Sequence, residues 1–192
     1  MQKKGVLFVL SGPSGVGKGT LKNRLLAEFE GQVVDSISAT TRGPREGEVH
    51  GREYFFISRQ DFLERIANND FLEHAEFSGN MYGTPKSYVL SVLEKGVNVI
   101  TEIEVQGALQ VFERMPDCVS VFILPPSYEE LESRLRGRAT ESEEKILARL
   151  ETAKRELPIA EKYQHRIVNN DLDAAYEELR TIYLHATKSQ QM

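Results

Sequence analysis

The sequence predicts an α/β fold: a parallel sheet covered by helices, with a smaller β-rich lobe inserted into it. Three observations carry that expectation. Continuous apolar runs at 6–10, 97–103 and 118–124 are bounded by turn signals, as in strands buried on both faces. Segments with helical spacing alternate with them, which parallel strands need for their crossovers. A polar block over residues 40–83, with several glycines and β-favouring aromatics, interrupts the rhythm and marks the insertion.

Taken in order, residues 6–10 form the first strand. Leu21, Leu25, Leu26 and Phe29 then recur at helical spacing through 18–29, and 33–38 is a short strand. Residues 40–56 read as loop and hairpin, ending in Tyr54-Phe55-Phe56. Residues 58–68 read as a short helix with Phe62, Leu63 and Ile66 on its apolar side, and 73–82 as extended chain. Thr84-Pro85 offers a capping residue and a first-turn proline to a helix that stops at Gly96. A strand over 97–103, a helix over 105–115 and a strand over 118–124, closed by Pro125-Pro126, follow. Ser127 and Glu130 have capping-box spacing for a helix to Arg136. Residues 142–163 read as one long amphipathic helix, bent near Pro158 because proline lacks a backbone donor. Residues 167–168 are a brief strand and 171–185 the last helix. The core domain is thus expected at 1–37 and 84–192 and the lobe at 38–83.

The 192 residues suffice for one core plus an insertion. A hydrophobic share of 40% with 28% charged residues is ordinary for a soluble globular protein. The net charge of -5 argues against a general nucleic-acid or anionic-membrane binder, while leaving room for a local basic pocket. Cys118, the single cysteine, beside an apolar run, reads as a buried thiol of a reducing compartment and permits no intramolecular disulfide. Residues 1–10 begin like a signal peptide, but the apolar run breaks at Ser11-Gly12-Pro13, too early for an h-region. No apolar stretch approaches the roughly 18 residues of a membrane span. The expected location is the cytoplasm.

Gly12-Pro13-Ser14-Gly15-Val16-Gly17-Lys18 fits the G-x-x-x-x-G-K core of a phosphate-binding loop, between a buried strand and a helix that starts at the lysine. Glycines let several backbone N–H groups turn toward one anion, and the helix N-terminus adds partial positive charge. Lys18 can reach β- and γ-phosphate oxygens. These features place the core in the P-loop NTPase type. The next position usually carries a hydroxyl for Mg²⁺, and here it is Gly19, with Thr20 one place later.

A second anion site is suggested by Arg42 and Arg45 beside Pro44, two guanidinium forks that can share one phosphate, with Tyr54 and Tyr82 as phenolic donors. The whole segment S-x-S-x-T-T-R-x-P-R (36–45), followed by G-E-x-x-G-x-x-Y (47–54), is similar to the GMP-binding segment of guanylate kinases. Further pieces fall in that family's order: Phe71-Leu72-Glu73, Phe77-Ser78-Gly79-Asn80-Met81-Tyr82-Gly83-Thr84, Glu102-Ile103-Glu104-Val105-Gln106-Gly107, Arg136-Gly137-Arg138-Ala139-Thr140-Glu141 and Ile167-Val168-Asn169-Asn170-Asp171. The Gly-Lys-Gly-Thr ending of the phosphate loop also occurs in nucleotide kinases.

The resemblance implies that Arg42, Arg45, Tyr54 and Tyr82 hold the GMP phosphate, and that Ser38, Glu73, Thr84 and Glu104 read guanine. The chemistry agrees. Guanine presents N1–H and an N2 amino group, and an ionised carboxylate is acceptor only. The hydroxyls of Ser38 and Thr84 suit O6. The resemblance also implies a helical lid over ATP, at about 134–144, with Arg134, Arg138 and the downstream Arg149 contacting phosphates and Arg136 on the surface. It places Asn169 near the adenine, and Ala139 where relatives often carry glycine. The implied reaction is Mg²⁺-dependent transfer of the ATP γ-phosphoryl group to GMP, giving ADP and GDP. It needs no dedicated base, because the attacking phosphate has a second pKa of about 6. Lys18, Arg42, Arg138 and Arg149 are the expected catalytic charges. The metal is expected to sit mainly on phosphates and water, with Glu102 or Thr20 as its protein contact. The histidines at 50, 74, 165 and 185 are surface or packing residues in this reading. Two rivals share the pattern: a non-catalytic phosphopeptide-binding relative, and a kinase for another nucleoside monophosphate. A monomer or homodimer acting on ATP and GMP is expected, without nucleic acid or membrane.

Overall fold

The computed structural model describes residues 4–137 and 142–189. A five-stranded sheet forms its centre: β1 (Leu7–Ser11), β2 (Val33–Asp35), β7 (Asn98–Glu102), β8 (Val119–Leu124) and β9 (His165–Val168), in the order β2-β7-β1-β8-β9. Every pairing is parallel, with Leu7 opposite Val99 and Phe8 opposite Val119. β1 is central and all five of its residues are buried, which is why its sequence is uninterrupted by charge. Side chains alternate between the two faces of the sheet. Phe8 and Leu10 join one cluster with α1 (Lys18–Glu28), α5 (Tyr128–Arg136), α6 (Glu143–Glu156) and α7 (Leu172–Ser189). Leu7 and Val9 join the other, with α3 (Lys86–Leu93) and α4 (Val105–Arg114).

The insertion is a separate four-stranded sheet in the order β4-β3-β6-β5, from β3 (Ala39–Thr40), β4 (Phe55–Phe56), β5 (Phe71–Phe77) and β6 (Asn80–Pro85). Its small core is Ala39, Phe62, Phe71 and Met81, with α2 (Arg59–Ala67) contributing Phe62, stacked 4.3 Å from Phe71. The sheet therefore ends at Pro85, slightly beyond the expected lobe boundary at residue 83.

Several local expectations are corrected. Residues 40–56 are not a hairpin, because β3 and β4 run parallel and the chain between them is a crossover loop. The hairpin is β5–β6, closed where Ser78 (φ 50) and Gly79 (φ 76) both adopt the left-handed conformation that primed turns require. Thr84 does not cap α3. It belongs to β6, its hydroxyl donates to Glu73 Oε1 at 2.7 Å, and Pro85 takes the cap position without a side-chain bond. Leu63 is 45% exposed, so α2 buries a narrower stripe than its sequence suggests. The Ser127 hydroxyl accepts the Glu130 N–H as expected, but the Glu130 carboxylate is turned to Arg134 and the reciprocal half of the box is missing. α6 stops at Glu156 and continues as a 3₁₀ turn over Leu157–Lys162, since Pro158 supplies no donor to an α-helical ladder. The last helix runs on to Ser189. The Cys118 thiol lies just before β8, where burial pushes its pKa up to about 11, so it is an inert packing group. Among the described residues no helix is long and apolar enough to cross a membrane.

Asn98 ties three elements together beneath the sheet. Its Oδ1 accepts the Val6 N–H at 2.9 Å, and its amide donates to the Gln32 carbonyl and the Tyr183 hydroxyl. Replacing it with alanine strands buried donors and acceptors. Asn98→Ala is expected to lower stability by about 1–3 kcal/mol, read as a shift of the urea midpoint with the slope unchanged. An unshifted midpoint would contradict this account.

Candidate active site

The glycine-rich turn after β1 lies against neighbouring backbone. A Cβ on Gly12 would stand 2.3 Å from the Ile123 carbonyl of β8, and one on Gly17 would stand 2.6 Å from the Asn169 amide nitrogen. That amide donates to the Val16 carbonyl at 2.8 Å, and Arg134 Nη1 donates to the Asn169 carbonyl at 3.0 Å. Asn169 and Arg134 thus brace the loop from behind. Lys18 starts α1, and its ammonium curls over the loop to donate to the Gly12 and Pro13 carbonyls at 2.6 and 3.0 Å. The Arg149 guanidinium, on α6, donates to the Ser14 hydroxyl. Glu102 ends β7, and its Oε2 stands 3.5 Å from where a Gly19 Cβ would be and 3.8 Å from the Lys22 ammonium. Thr20 is exposed. The expected positions Arg138 and Ala139 lie outside the described residues, as does part of the expected lid. Arg136 is an exposed residue paired with Glu132 and Glu143.

A cleft of about 670 Å³ opens in front of this loop. Gly12, Lys18, Glu102, Glu104 and Arg149 line it, and Phe77 reaches it from the tip of the β5–β6 hairpin. It is where the core and the inserted lobe meet.

On the lobe, Arg42 forms a two-pronged ion pair with Glu48, Nη1 to Oε2 at 3.0 Å and Nη2 to Oε1 at 2.9 Å. The Arg45 backbone N–H donates to the same carboxylate at 2.7 Å. Facing Arg42 holds the Glu48 carboxyl below its ordinary range, and the Arg45 N–H adds to that. The Arg42 guanidinium carbon also lies 5.5 Å from the Tyr54 ring centre, and the Tyr54 and Tyr82 rings meet edge-on at 6.1 Å. Arg42, Tyr54 and Tyr82 are therefore brought together, while the Arg45 side chain extends into solvent. At the level of sequence Glu48 enters only as part of the G-E-x-x-G-x-x-Y pattern, with no role of its own. Its spacing from the two arginines was the available signal.

Glu73 is the buried acid of the lobe, 8% exposed on β5. Burial pushes its carboxyl pKa up, and the Thr84 hydroxyl bond pulls it partly back. Its second oxygen faces Gly107 at the start of α4, where a Cβ would stand 3.0 Å away. Gly107 thus leaves room for this carboxylate. Glu104 takes the N-cap position of α4 without a side-chain bond and lines the cleft, and Ser38 is half-buried at the entrance to β3. A carboxylate kept dry and held by one hydroxyl is an acceptor waiting for donors.

A phosphate-binding loop facing, across one cleft, a second lobe with its own arginine cradle and a buried acid defines a nucleotide kinase of the P-loop class. Comparison with known proteins narrows the class. The family model described as guanylate kinase matches residues 4–186. A guanylate kinase of Streptococcus thermophilus is 48% identical over 182 residues, covering 95% of this chain and 87% of the relative. One from a Nostoc species is 51% identical over 175 residues, 91% of this chain and 87% of the relative. The crystal structure of guanylate kinase from Anaplasma phagocytophilum superposes with a TM-score of 0.71 at 36% identity, covering 97% of this chain and 88% of that one. The chain belongs to the guanylate kinase family.

The state of Glu73 has a measurable consequence. Its folded-state pKa is raised, so folding disfavours the ionised form relative to the unfolded chain. The penalty is absent below the unfolded value of about 4.3, grows as pH rises from there toward the folded one and is fully present above it. Glu73→Gln should therefore raise the melting temperature at pH 7 and leave it nearly unchanged at pH below about 4. Equal shifts at both pH values would mean that the buried charge is not the cause.

Proposed function

We propose that this chain is an ATP:GMP phosphotransferase, a guanylate kinase that moves the γ-phosphoryl group of ATP onto GMP to give ADP and GDP. The observation that carries this reading is the pairing, across one cleft, of the Lys18 phosphate loop with the lobe that holds Arg42 and Glu73. ATP phosphates lie along Gly12, Pro13, Ser14, Gly15, Val16 and Gly17, with Lys18 and Arg149 facing the transferred group and Arg138 joining them from the lid. Arg134 and Asn169 support the loop and flank the adenine side. Arg42, Arg45, Tyr54 and Tyr82 take the GMP phosphate, which displaces Glu48 from part of the Arg42 fork. Glu73 and Glu104 accept from guanine N1–H and the 2-amino group. The Thr84 hydroxyl is committed to Glu73, so Thr84 contributes by fixing that carboxylate and Ser38 serves O6. Adenine, which lacks both donors, leaves the acids unpaired, and that mismatch supports GMP over AMP. The catalytic effect is placement of two anions among fixed cations in a site that excludes water on closure.

The residues fit Mg²⁺ as a mostly hydrated ion. Among the described residues no group of three or more His, Cys, Asp or Glu is arranged to hold a metal by protein ligands alone. Gly19 has no hydroxyl, and the Glu102 carboxylate standing over it is the available oxygen, with Thr20 the alternative. When bound with ATP, the ion neutralises charge on β- and γ-phosphate oxygens. Against the phosphopeptide-binding reading stands the intact ATP half: the loop, Lys18 and Arg149 would have no use there. The acidic balance and the buried thiol support a cytoplasmic enzyme of small-molecule metabolism, monomeric or homodimeric, without nucleic-acid or membrane partners.

A coupled assay with ATP and a panel of nucleoside monophosphates tests the reading directly, with GMP expected to outrun AMP by far. Lys18→Met should lower turnover by roughly 10²-fold or more while GMP binding survives. Gly107→Ala pushes a methyl toward Glu73 and should raise KM for GMP by about tenfold with KM for ATP unchanged. Near-normal turnover in Lys18→Met, or a Gly107→Ala defect confined to ATP, would contradict the assignments. For the metal, activity should vanish without a divalent ion, and Thr20→Val should move the Mg²⁺ half-saturation only slightly. A large shift would make Thr20 a ligand.

A further inference from the structure

Glu156 is an acid of the cleft that the substrate assignments leave unused. It is the last residue of α6, and the 3₁₀ turn imposed by Pro158 ends the helix there. α6 turns one stripe toward the cleft, on which Arg149 and Glu156 are seven residues apart, about two turns. The stripe approaches the phosphate loop from both ends. Arg149 donates to Ser14, and Glu156 lines the cleft together with Lys18 and Glu104. Glu156 is half-buried. Its carboxyl is pushed up by burial, pulled down by the Lys18 ammonium and pushed up again by Glu104. With Glu102 and Glu104 it adds negative charge to a cleft whose task is to gather phosphates, and that charge repels every anion that enters.

We infer that Glu156 is a positioning residue acting through Lys18: a fixed negative charge that competes with nucleotide phosphates for the ammonium and so hastens release of the product diphosphate. A cleft that gathers phosphates around Lys18 and Arg149 binds polyanions tightly before and after transfer alike unless carboxylates of the same cleft offset them. Uniform tight binding gives no gain in turnover, and release of product often limits it. A carboxylate lining the same cleft as Lys18 offsets part of that affinity in every bound state.

The inference rests on the nucleotide-kinase reading, and the experiment separates the two. ADP binding, without metal, is measured by titration calorimetry for the wild type, Glu156→Gln and Glu156→Asp, at low and high salt. Glu156→Gln keeps the shape and removes the charge. It should bind ADP roughly three- to tenfold tighter at low ionic strength, with the gap narrowing at high salt. Glu156→Asp keeps the charge and should stay near the wild type. In the GMP assay Glu156→Gln should show a lower KM for ATP and a lower kcat together. A merely structural role would move the melting temperature without tightening ADP. Unchanged or weaker ADP binding in Glu156→Gln overturns the inference, as does tightening of the same size in Glu156→Asp. Failure of GMP to act as acceptor, with the ADP pattern intact, would instead remove the choice of acceptor.

Discussion

A phosphate loop is built from backbone, and its N–H groups can converge on one anion only if no side chain stands between the loop and its supports. Here that requirement is met at two places, where Gly12 lies against the Ile123 carbonyl and Gly17 against the Asn169 amide. Much else follows from those contacts. β8 must lie beside β1 in parallel register to present Ile123, and β9 must follow so that Asn169 arrives at the end of its strand. The buried runs of the central sheet hold the loop's supports in place. Ile123 is fully buried and Ile167 likewise.

The second theme is charge held in balance before any substrate arrives. Arg42, Arg149 and Lys18, cations expected to meet phosphate, already have internal oxygens: Glu48, Ser14 and the loop carbonyls. Lys22 is paired with Asp35 and lies near Glu102. These arrangements orient long side chains that would otherwise sample many rotamers, and they are weak enough to be exchanged for phosphate, being at a solvent-filled cleft. The side proposed to read guanine is arranged the other way. Glu73 is kept dry at a cost to the fold, so that donors of matching geometry recover what burial took from it.

The two lobes divide these tasks. The core holds the loop, Lys18 and Arg149 on a sheet covered on both sides, while the lobe holds Arg42, Glu48 and Glu73 on a small sheet with few buried residues. A small core gives the lobe little internal stability. Its crossover loop from Thr41 to Tyr54 is organised instead by polar contacts, Arg42 with Glu48 and Arg52 with Glu53.

What the sequence determined by itself is whatever depends on residues close together in the chain. The phosphate loop occupies seven consecutive residues between a strand and a helix, and the apolar runs of β1, β7 and β8 declare burial on both faces through their own composition. The motif spacing of Arg42, Arg45, Tyr54, Glu73 and Tyr82 was equally legible. Tertiary structure decided the cases in which one group had two possible partners. The Thr84 hydroxyl had a helix N-terminus within reach and went to Glu73 across a strand pair; Glu130 had its own cap and went to Arg134. The direction of β4, the room that Gly107 leaves for Glu73 and the presence of Glu156 and Lys18 on one cleft were likewise out of reach of local pattern. Propensity and spacing rank neighbours along the chain, but a polar group chooses its partner by distance and desolvation in space, and those exist only once the chain has folded.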